Sequence, residues 1–477
     1  MLLLSSRILE HGASDVERIG LLEKLRERNF IPLIRSMRLR FYGMLTEDQN
    51  LAREMEQTVA ESFGTAWVGE YVRGDLFFFD DHVLFLLFED QVGPQSAMRA
   101  GIVYEPGTTE PLRKLNSFCQ TISACLEGER PEEGAGVALT ELSAWRQDPS
   151  SFHPGFARFV ARQDADSLSA IACRENARER VRAARVLEDD YARLFLRRTS
   201  EAYSEGYALN SSADEAITPS ELTMSKLLEA DLLRRELLVS CRKTGHHLFN
   251  LPSADALAVI TISQATCSVC GASIADEKIE EVLSPTRLSS ALLDDAAWLV
   301  NRLHTIFREL GIPESEIAIE PPAGDGEARL LARVCGELFL VAMRDGDLTP
   351  RFARRAVNAK TETDARHLVI VMTGAVHNEA RMNLMRFAKQ VERGGSDFEM
   401  IIAEGVQAAE AELRRAFEGV SRRALTEQLC ELDTSLGVSA ACLVRTRFEM
   451  LRNTEVGVHL RQLPPATENN QPTRLLT

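Results

Sequence analysis

The hydrophobic pattern near the amino terminus predicts a buried β-hairpin beside a helix. In "GDLFFFDDHVLFLLFEDQVG", two apolar runs flank a turn at Asp80–Asp81, and the second run, Val83–Phe88, contains no polar residue. A strand that is apolar on both faces is expected to be covered on both faces. The preceding stretch 46–64 starts with Thr and Gln at capping-box spacing and stops at Gly, which predicts a helix. We therefore expect an α+β domain over residues 1–135.

The middle of the chain has a helical pattern. A charged linker, "EGERPEEGAG" from Glu127, ends the first domain. Apolar residues then recur at spacings of three and four, which predicts a helix over 175–205; they are Val181, Ala184, Leu187, Tyr191, Leu194 and Phe195. We interpret the arginines between them as a solvated face. A further helix begins near Pro219 and leads into a strand near Leu237, so that 136–235 forms a linker and helical region.

Residues 285–415 have the clearest order of elements. An amphipathic helix, "SALLDDAAWLVNRLHTIFRELGIP", is followed by the strands "EIAIE", "EARLLARV" and "ELFLVAM", the last two joined by Cys335-Gly336. Thr349 is a natural N-cap with Pro350 at the first helical position. A buried strand from His367, a helix, a last strand and a final helix complete the segment. We expect a mixed sheet flanked by helices, then a helical extension over 416–460 and a disordered tail over 461–477.

Composition limits the classes of function. The chain has 477 residues, 45% hydrophobic content and a formal charge of −16. A protein that binds nucleic acid on its own is usually basic, so any DNA contact is expected to be local or supplied by a partner. No apolar run approaches the roughly 18 residues that span a bilayer, and three leucines at the start are too few for a signal peptide. We expect a cytoplasmic protein without a membrane partner. Its nine cysteines do not form a dense disulfide framework.

Two cysteine-bearing turns lie on either side of a predicted hairpin. "CRKTG" places Thr244 three residues after Cys241, and "CSVCG" carries Cys267 and Cys270. The segment 236–284 resembles a zinc ribbon that has lost one of its four thiolates, since threonine is a poor zinc ligand. Either His246 or the adjacent histidine could complete a Cys3His site. Alternatively, the ribbon holds no metal and Cys241 packs as a small apolar residue, or Cys267 and Cys270 are a redox pair.

The segment "GEARLLARVCGELFLVAMRDGDLTP", with the elements around it, resembles the PD-(D/E)xK restriction-endonuclease-like family. In that family, two carboxylates bind Mg²⁺ and a lysine orients the nucleophile, with one acid on the second strand and Glu-x-Lys on the third. Carried over, the first acid falls at Arg329, the Glu at Ala342 and the Lys at Arg344. The resemblance thus implies a nuclease fold with a degenerate pocket that does not bind Mg²⁺, because a guanidinium repels a divalent cation.

Other acids could restore a metal site. Glu327 falls on the same strand face as Arg329. Asp345 and Asp347 follow the third strand in a Gly-containing turn, where acids are common for turn reasons alone. In the amino-terminal hairpin, Asp75 and Glu89 form a second, weaker candidate pair.

Arginines remain around the degenerate pocket: Arg329, Arg344, Arg351, Arg354 and Arg355. They could bind phosphate directly, because a guanidinium can donate two parallel hydrogen bonds to it. They could equally pair with Asp345 and Asp347 as solvated ion pairs of little energetic value.

The expected fold class is therefore a multidomain α+β or α/β chain. It combines an α+β amino-terminal domain, a helical middle, a small β ribbon and a restriction-endonuclease-like mixed sheet flanked by helices. Our first hypothesis is a non-catalytic subunit of a larger bacterial assembly, structural or nucleic-acid-contacting, with a setting in DNA processing or phage defence that follows only from the resemblance. The alternatives are an active metal-dependent nuclease that uses shifted acids, and a protein-interaction scaffold without nucleic acid. Other protein subunits are expected partners.

Overall fold

The computed structural model describes residues 1–66, 71–89, 97–127, 145–147, 153–163, 177–204, 220–320, 326–395 and 397–462. The fold is mixed α+β. Within these ranges, none of the helices is both long enough and apolar enough to span a bilayer. The linker predicted after Glu127 and nearly all of the predicted tail lie outside the described residues; residues 461 and 462 end the last helix.

The strands are β1 Leu3–Glu10, β2 Gly74–Phe78, β3 His82–Glu89, β4 Ala97–Tyr104, β5 Arg146–Gln147, β6 Leu233–Ser240, β7 His247–Leu251, β8 Lys278–Pro285, β9 Ile317–Ile319, β10 Glu327–Val334, β11 Glu337–Arg344, β12 His367–Met372 and β13 Glu399–Glu404. The helices are α1 Asp15–Glu27, α2 Leu33–Thr46, α3 Gln49–Ala66, α4 Pro111–Glu127, α5 Pro154–Ala161, α6 Ala177–Val186, α7 Asp190–Ser204, α8 Glu221–Glu229, α9 Ala254–Ile262, α10 Arg287–Leu293, α11 Ala297–Glu309, α12 Pro350–Thr363, α13 Asn378–Arg393, α14 Val406–Leu436 and α15 Ala440–Gln462.

The chain divides into two compact units. The first contains residues 1–149 and 418–477, and the second contains 150–417. Residues from Glu418 onward, which include most of α14 and all of α15, therefore share a unit with the amino-terminal domain, which the sequence did not indicate.

The first unit is built on an antiparallel sheet with the strand order β2-β3-β4-β1-β5. The predicted hairpin is confirmed: β2 and β3 pair across the Asp80–Asp81 turn, and Val83–Phe88 is fully buried. One face of the sheet packs against the carboxy-terminal helices. The residues that these helices contribute to the shared core are mainly Leu425, Leu429, Leu432, Val444 and Phe448. β3 is apolar throughout because helices from a distant part of the sequence cover one of its faces.

The buried carboxylate of Asp75 holds β2 to the start of α2. Its Oδ1 accepts hydrogen bonds from the backbone N–H groups of Ile34 and Leu76 at 2.7 and 2.8 Å, and its Oδ2 accepts one from Arg35 at 2.9 Å. Pro32, the N-cap of α2, has no side chain that could do this. Asp75 therefore caps the helix from the neighbouring strand.

The second unit contains a five-stranded sheet with the strands in chain order, β9-β10-β11-β12-β13. The pairs β9-β10 and β10-β11 are antiparallel, and β12 and β13 continue parallel to β11 after helical crossovers. Cys335 and Gly336 form the β10-β11 turn with φ of 47° and 88°, which are the positive values of a two-residue type I′ hairpin. The Thr349 side chain caps α12 and Pro350 begins it, as predicted.

Three predicted helices are wrong in detail. The helix over 175–205 is two helices, because the Asp189 carboxylate accepts the Tyr191 N–H at 2.9 Å and starts a new one. The helix that leads to Leu310 is broken at Asp294–Ala296, where two residues adopt left-handed φ, although its predicted apolar face is buried. Thr46 ends α2 instead of capping α3, and the Asp48 side chain accepts the Asn50 N–H at 2.7 Å.

A small antiparallel ribbon, β7-β6-β8, lies between α8 and α10 in the sequence of the second unit. The core cluster around its two turns has five buried residues, Val239, Cys241, Leu251, Cys267 and Ile274, against which partly buried apolar side chains pack. Because two of these five are cysteines, sulfur forms a large part of the fully buried core of the predicted ribbon.

The cap on α2 makes the first prediction. Asp75→Ala should weaken α2 by about 1–2 kcal/mol, because three N–H groups lose their buried acceptor. Amides of α2 should then exchange roughly 5–30 times faster with solvent deuterium. Asp80→Ala, in the exposed turn that follows β2, is the matched control. Equal exchange in the two variants would contradict the cap.

Candidate functional site

The residues at the positions of the expected nuclease acids lie together on one face of the second sheet. The β10-β11 register pairs Glu327 with Arg344 and Arg329 with Ala342. Ala342 is fully buried in the core that contains Phe352 and other residues of α12. Side chains two residues apart share a face, so this face of β10 and β11 is the one covered by α12. The position expected to bind metal through a Glu is therefore part of the apolar core.

Glu327 is enclosed by two arginines at the end of this face. Its side chain is only 6% exposed, and its Oε1 accepts hydrogen bonds from Arg344 Nη1 at 2.8 Å and from Arg355 Nη2 of α12. A single carboxylate thus faces two guanidinium groups, and the local charge of the three side chains is positive. Glu327 acts as an anionic link between β10, β11 and α12.

The remaining arginines of the predicted set lie near the surface. Arg329 Nη1 binds both carboxylate oxygens of Glu320 at 3.2 and 2.9 Å, in a pair that is about a quarter exposed. Arg351 and Arg354 are exposed on the first turns of α12. The acids that pair with this set are therefore Glu327 and Glu320, and not the Asp345 and Asp347 that the sequence suggested.

Asp345 lies on the opposite face and is buried, with a side chain 4% exposed. It accepts hydrogen bonds from Trp298 Nε1 of α11 and Thr373 Oγ1, both at 2.7 Å. Two arginines of α7 form ion pairs with this carboxylate, Arg197 Nη2 at 2.5 Å and Arg193 Nε at 3.5 Å. The Arg193 guanidinium also lies 4.6 Å from the centre of the Trp298 ring. Asp345 is therefore an anchor between the sheet and two helices, which its position in a Gly-containing turn did not reveal.

Asp347 joins the loops that follow the parallel strands β11 and β12. Its Oδ1 accepts the Ala375 N–H at 2.7 Å, and His377 Nε2 lies 3.5 Å from its Oδ2. The hydrogen bond from the Ala375 backbone, followed by that from His377, holds the pKa of Asp347 below its usual value. A Cβ added at Gly374 would lie 2.3 Å from Asp347 Oδ1, so glycine is required at that close approach.

The structure does not bring Asp75 and Glu89 of the amino-terminal hairpin to one face. Asp75 is opposite Leu86 in the β2-β3 register, and Glu89 is three residues further along, hence on the other face. Burial raises the pKa of Asp75 to about 6, against the three backbone hydrogen bonds that lower it. Glu89 pairs with Arg99 Nε at 2.5 Å. These two acids have separate structural partners.

A second candidate site is formed in the ribbon by Cys241, Cys267, Cys270 and Glu277, whose ligand atoms all lie within 4.8 Å of one another. Three of the four expected ligands are therefore brought together. His246 is exposed and does not belong to this group, and the neighbouring His247 Nε2 lies 2.9 Å from Asn250 Oδ1. The sequence did not single out Glu277, because it lies outside both cysteine motifs.

The acid–base properties of the ribbon cluster follow from its hydrogen bonds. The Thr244 hydroxyl and nearby backbone N–H groups lower the pKa of the Cys241 thiol to about 7. The Cys270 thiol donates to Glu277 Oε1 at 2.9 Å, which raises the pKa of that thiol. The cluster thus joins a readily ionised thiol to a buried carboxylate.

No protein-family model matches the chain, and comparisons with curated proteins and with solved structures find no match. The geometry of these two sites therefore carries the functional argument.

The network around Glu327 makes the second prediction. Glu327→Ala should destabilise the second unit by about 3 kcal/mol, because two partly buried guanidinium groups lose the carboxylate between them. This value is at the low end of the usual range, since each arginine side chain is about a quarter exposed. Glu320→Ala, which breaks the more exposed pair with Arg329, should cost about 0–1 kcal/mol. Hydrogen exchange of the β10 and β11 amides in urea would measure the change in stability of each variant. Equal losses of stability in Glu327→Ala and Glu320→Ala would refute the assigned role of Glu327.

Proposed function

We propose that the chain is a non-catalytic member of the restriction-endonuclease-like group that serves as a structural or nucleic-acid-contacting subunit of a larger bacterial assembly. The setting in DNA processing or phage defence follows from the resemblance alone. The observation that carries the proposal is the contact of Glu327 with both Arg344 and Arg355 at the edge where that group binds its metal.

The element order supports the first part of the proposal. A helix, three antiparallel strands, a crossover helix and a strand parallel to β11 follow one another in the second unit. This is the order on which the resemblance rests. The carboxyl ends of parallel strands are where α/β sheets usually bind ligands, and Arg344, Asp345 and Thr373 lie at that edge.

The charges at this edge oppose binding of a divalent cation. Magnesium needs several oxygen ligands in near-octahedral geometry. The carboxylates at the edge already accept hydrogen bonds from protein donors, and Glu327 has two cationic neighbours. At an effective dielectric constant of about 20, each unit of like charge at about 4 Å costs on the order of 4 kcal/mol. A dication at Glu327 would meet four such unit repulsions from the two guanidinium groups against two unit attractions from the one carboxylate.

The same charges favour an anionic ligand. Arg351 and Arg354 are exposed at the amino-terminal end of α12, where the helix dipole also favours an anion. Arg344 and Arg329 lie on the sheet face that α12 covers, with about a quarter of each side chain exposed. In a chain with a formal charge of −16, this basic edge is a local feature. We therefore favour phosphate contact here over the alternative of a scaffold that does not meet nucleic acid.

The third prediction separates this proposal from an active nuclease. Single- and double-stranded DNA incubated with the full chain and Mg²⁺ or Mn²⁺ should stay intact. Glu327→Gln, which keeps the shape of the side chain, should give the same result. Cleavage by the unmodified chain that disappears in Glu327→Gln would overturn the proposal and identify Glu327 as a metal ligand.

The fourth prediction tests nucleic-acid contact. Replacing Arg351 and Arg354 together by Ala should weaken DNA binding at low salt and reduce the slope of log K against log salt by about 2, roughly one unit for each lost phosphate contact. The double variant Arg414→Ala with Arg415→Ala is the matched control. It makes the same change in charge on the exposed side of α14, where each arginine pairs with a glutamate of its own helix. An equal effect of both double variants, or no binding at all, would favour the scaffold.

A further inference from the structure

The two turns of the ribbon have the same backbone hydrogen bonds. In the first, Cys241 N–H donates to His246 O at 2.8 Å and Gly245 N–H donates to Cys241 O at 2.7 Å. In the second, Cys267 N–H donates to Ala272 O at 2.7 Å and Gly271 N–H donates to Cys267 O at 2.9 Å. Both glycines have positive φ, 70° and 74°. The turns therefore retain equivalent geometry although only the second has two cysteines.

The equivalence makes Thr244 the counterpart of Cys270. Threonine is a poor ligand for a thiolate-bound metal, so the first turn supplies one sulfur and the second supplies two. The fourth donor comes from elsewhere. A short 3-10 turn, Ile274–Asp276, is capped by Ser273 and delivers Glu277 into the same cluster.

Glu277 has the surroundings of a metal ligand. It is 5% exposed, and its Oε2 accepts the Arg242 N–H at 2.5 Å while its Oε1 accepts the Cys270 thiol. Across the described part of the chain, neither lysine nor arginine forms an ion pair with it. A buried carboxylate is usually paired with a cation or bound to a metal. Its hydrogen bond from the Arg242 backbone is the kind of outer contact that orients a ligand.

We propose that Cys241, Cys267, Cys270 and Glu277 bind one zinc ion, with Glu277 as the fourth ligand in place of Thr244. Three sulfur donors and one carboxylate oxygen form a set that zinc accepts in tetrahedral geometry, whereas magnesium and calcium prefer oxygen alone. Zinc–sulfur bonds of about 2.3 Å give a tetrahedron with edges of about 3.7 Å. Ligand atoms within 4.8 Å of one another need to approach by only about 1 Å.

The stability of the ribbon provides an independent reason for a metal. Apart from two of the proposed ligands, the fully buried residues of its core cluster are Val239, Leu251 and Ile274, and the other apolar side chains packed against them are only partly buried. Small units with little fully buried apolar surface are commonly stabilised by a structural metal. Zinc would link the two turns that precede β7 and β8 and would offset part of the negative charge of the three thiolates and Glu277.

Metal analysis of the full chain tests the proposal directly. The chain purified from zinc-supplemented cells should contain one zinc ion, and Glu277→Gln should lower zinc affinity by more than the roughly 10- to 100-fold that loss of an outer partner costs. Glu281→Gln, an exposed carboxylate on the neighbouring strand, is the matched control and should leave the affinity unchanged. His246→Ala should also have no effect. Loss of zinc in His246→Ala but not in Glu277→Gln would overturn the ligand assignment.

Spectroscopy of the unmodified chain gives a second measurement, which does not require a variant to fold. Cobalt(II) in place of zinc should show thiolate-to-cobalt charge transfer and the intense visible bands of a tetrahedral site. X-ray absorption of the zinc form should give three sulfur neighbours and one oxygen. Zinc near zero per chain together with no cobalt–thiolate band would show that no metal site exists, and a sulfur–nitrogen shell would exclude Glu277. Failure of this test would leave the proposal for the nuclease-like sheet untouched.

Discussion

The second unit depends on the placement of one carboxylate, Glu327, between the guanidinium groups of Arg344 and Arg355. The contact joins two antiparallel strands to the crossover helix that follows them, at the edge where the parallel strands end. Removing such a carboxylate leaves partly buried positive charge, which is costly, whereas a second cation beside it is repelled. One arrangement thus stabilises the fold, disfavours a divalent ion and leaves a basic edge.

The neighbouring acids strengthen this conclusion because each has a different structural task. Asp345 lies on the other face, where it binds Trp298 and the arginines of α7, and Asp347 joins two loops through the Ala375 N–H. The carboxylates at the edge are therefore used within the protein. The exposed residues that remain at the start of α12 are Arg351 and Arg354. These two arginines give a strongly acidic chain a local basic surface, on which the proposed phosphate contact depends.

Short-range signals in the sequence predicted much of this arrangement. The turn at Cys335-Gly336 and the Thr349 cap were predicted correctly, because each depends on neighbouring residues only. Strand alternation, which is equally local, placed Arg329, Ala342 and Arg344 on one face. The break at Asp294–Ala296 was missed because apolar spacing continues through it. The partners of Asp345 come from helices about 50 and 150 residues away, and Glu277 lies outside any cysteine motif. Such contacts depend on tertiary packing, which local patterns do not encode.

The ribbon and the sheet differ in the charge of the residues that stand at or near the expected metal-ligand positions. In the sheet, the expected acid positions carry Arg329 and Ala342, and the nearest remaining carboxylate, Glu327, is bound by arginines. In the ribbon, a missing thiolate is matched by another anion, Glu277, within 4.8 Å of the three sulfurs. An anionic oxygen preserves the charge balance that a dication needs, and a guanidinium reverses it. On this argument, the sheet edge with its arginines disfavours a dication, whereas the ribbon cluster keeps a donor set of the charge that we propose for zinc.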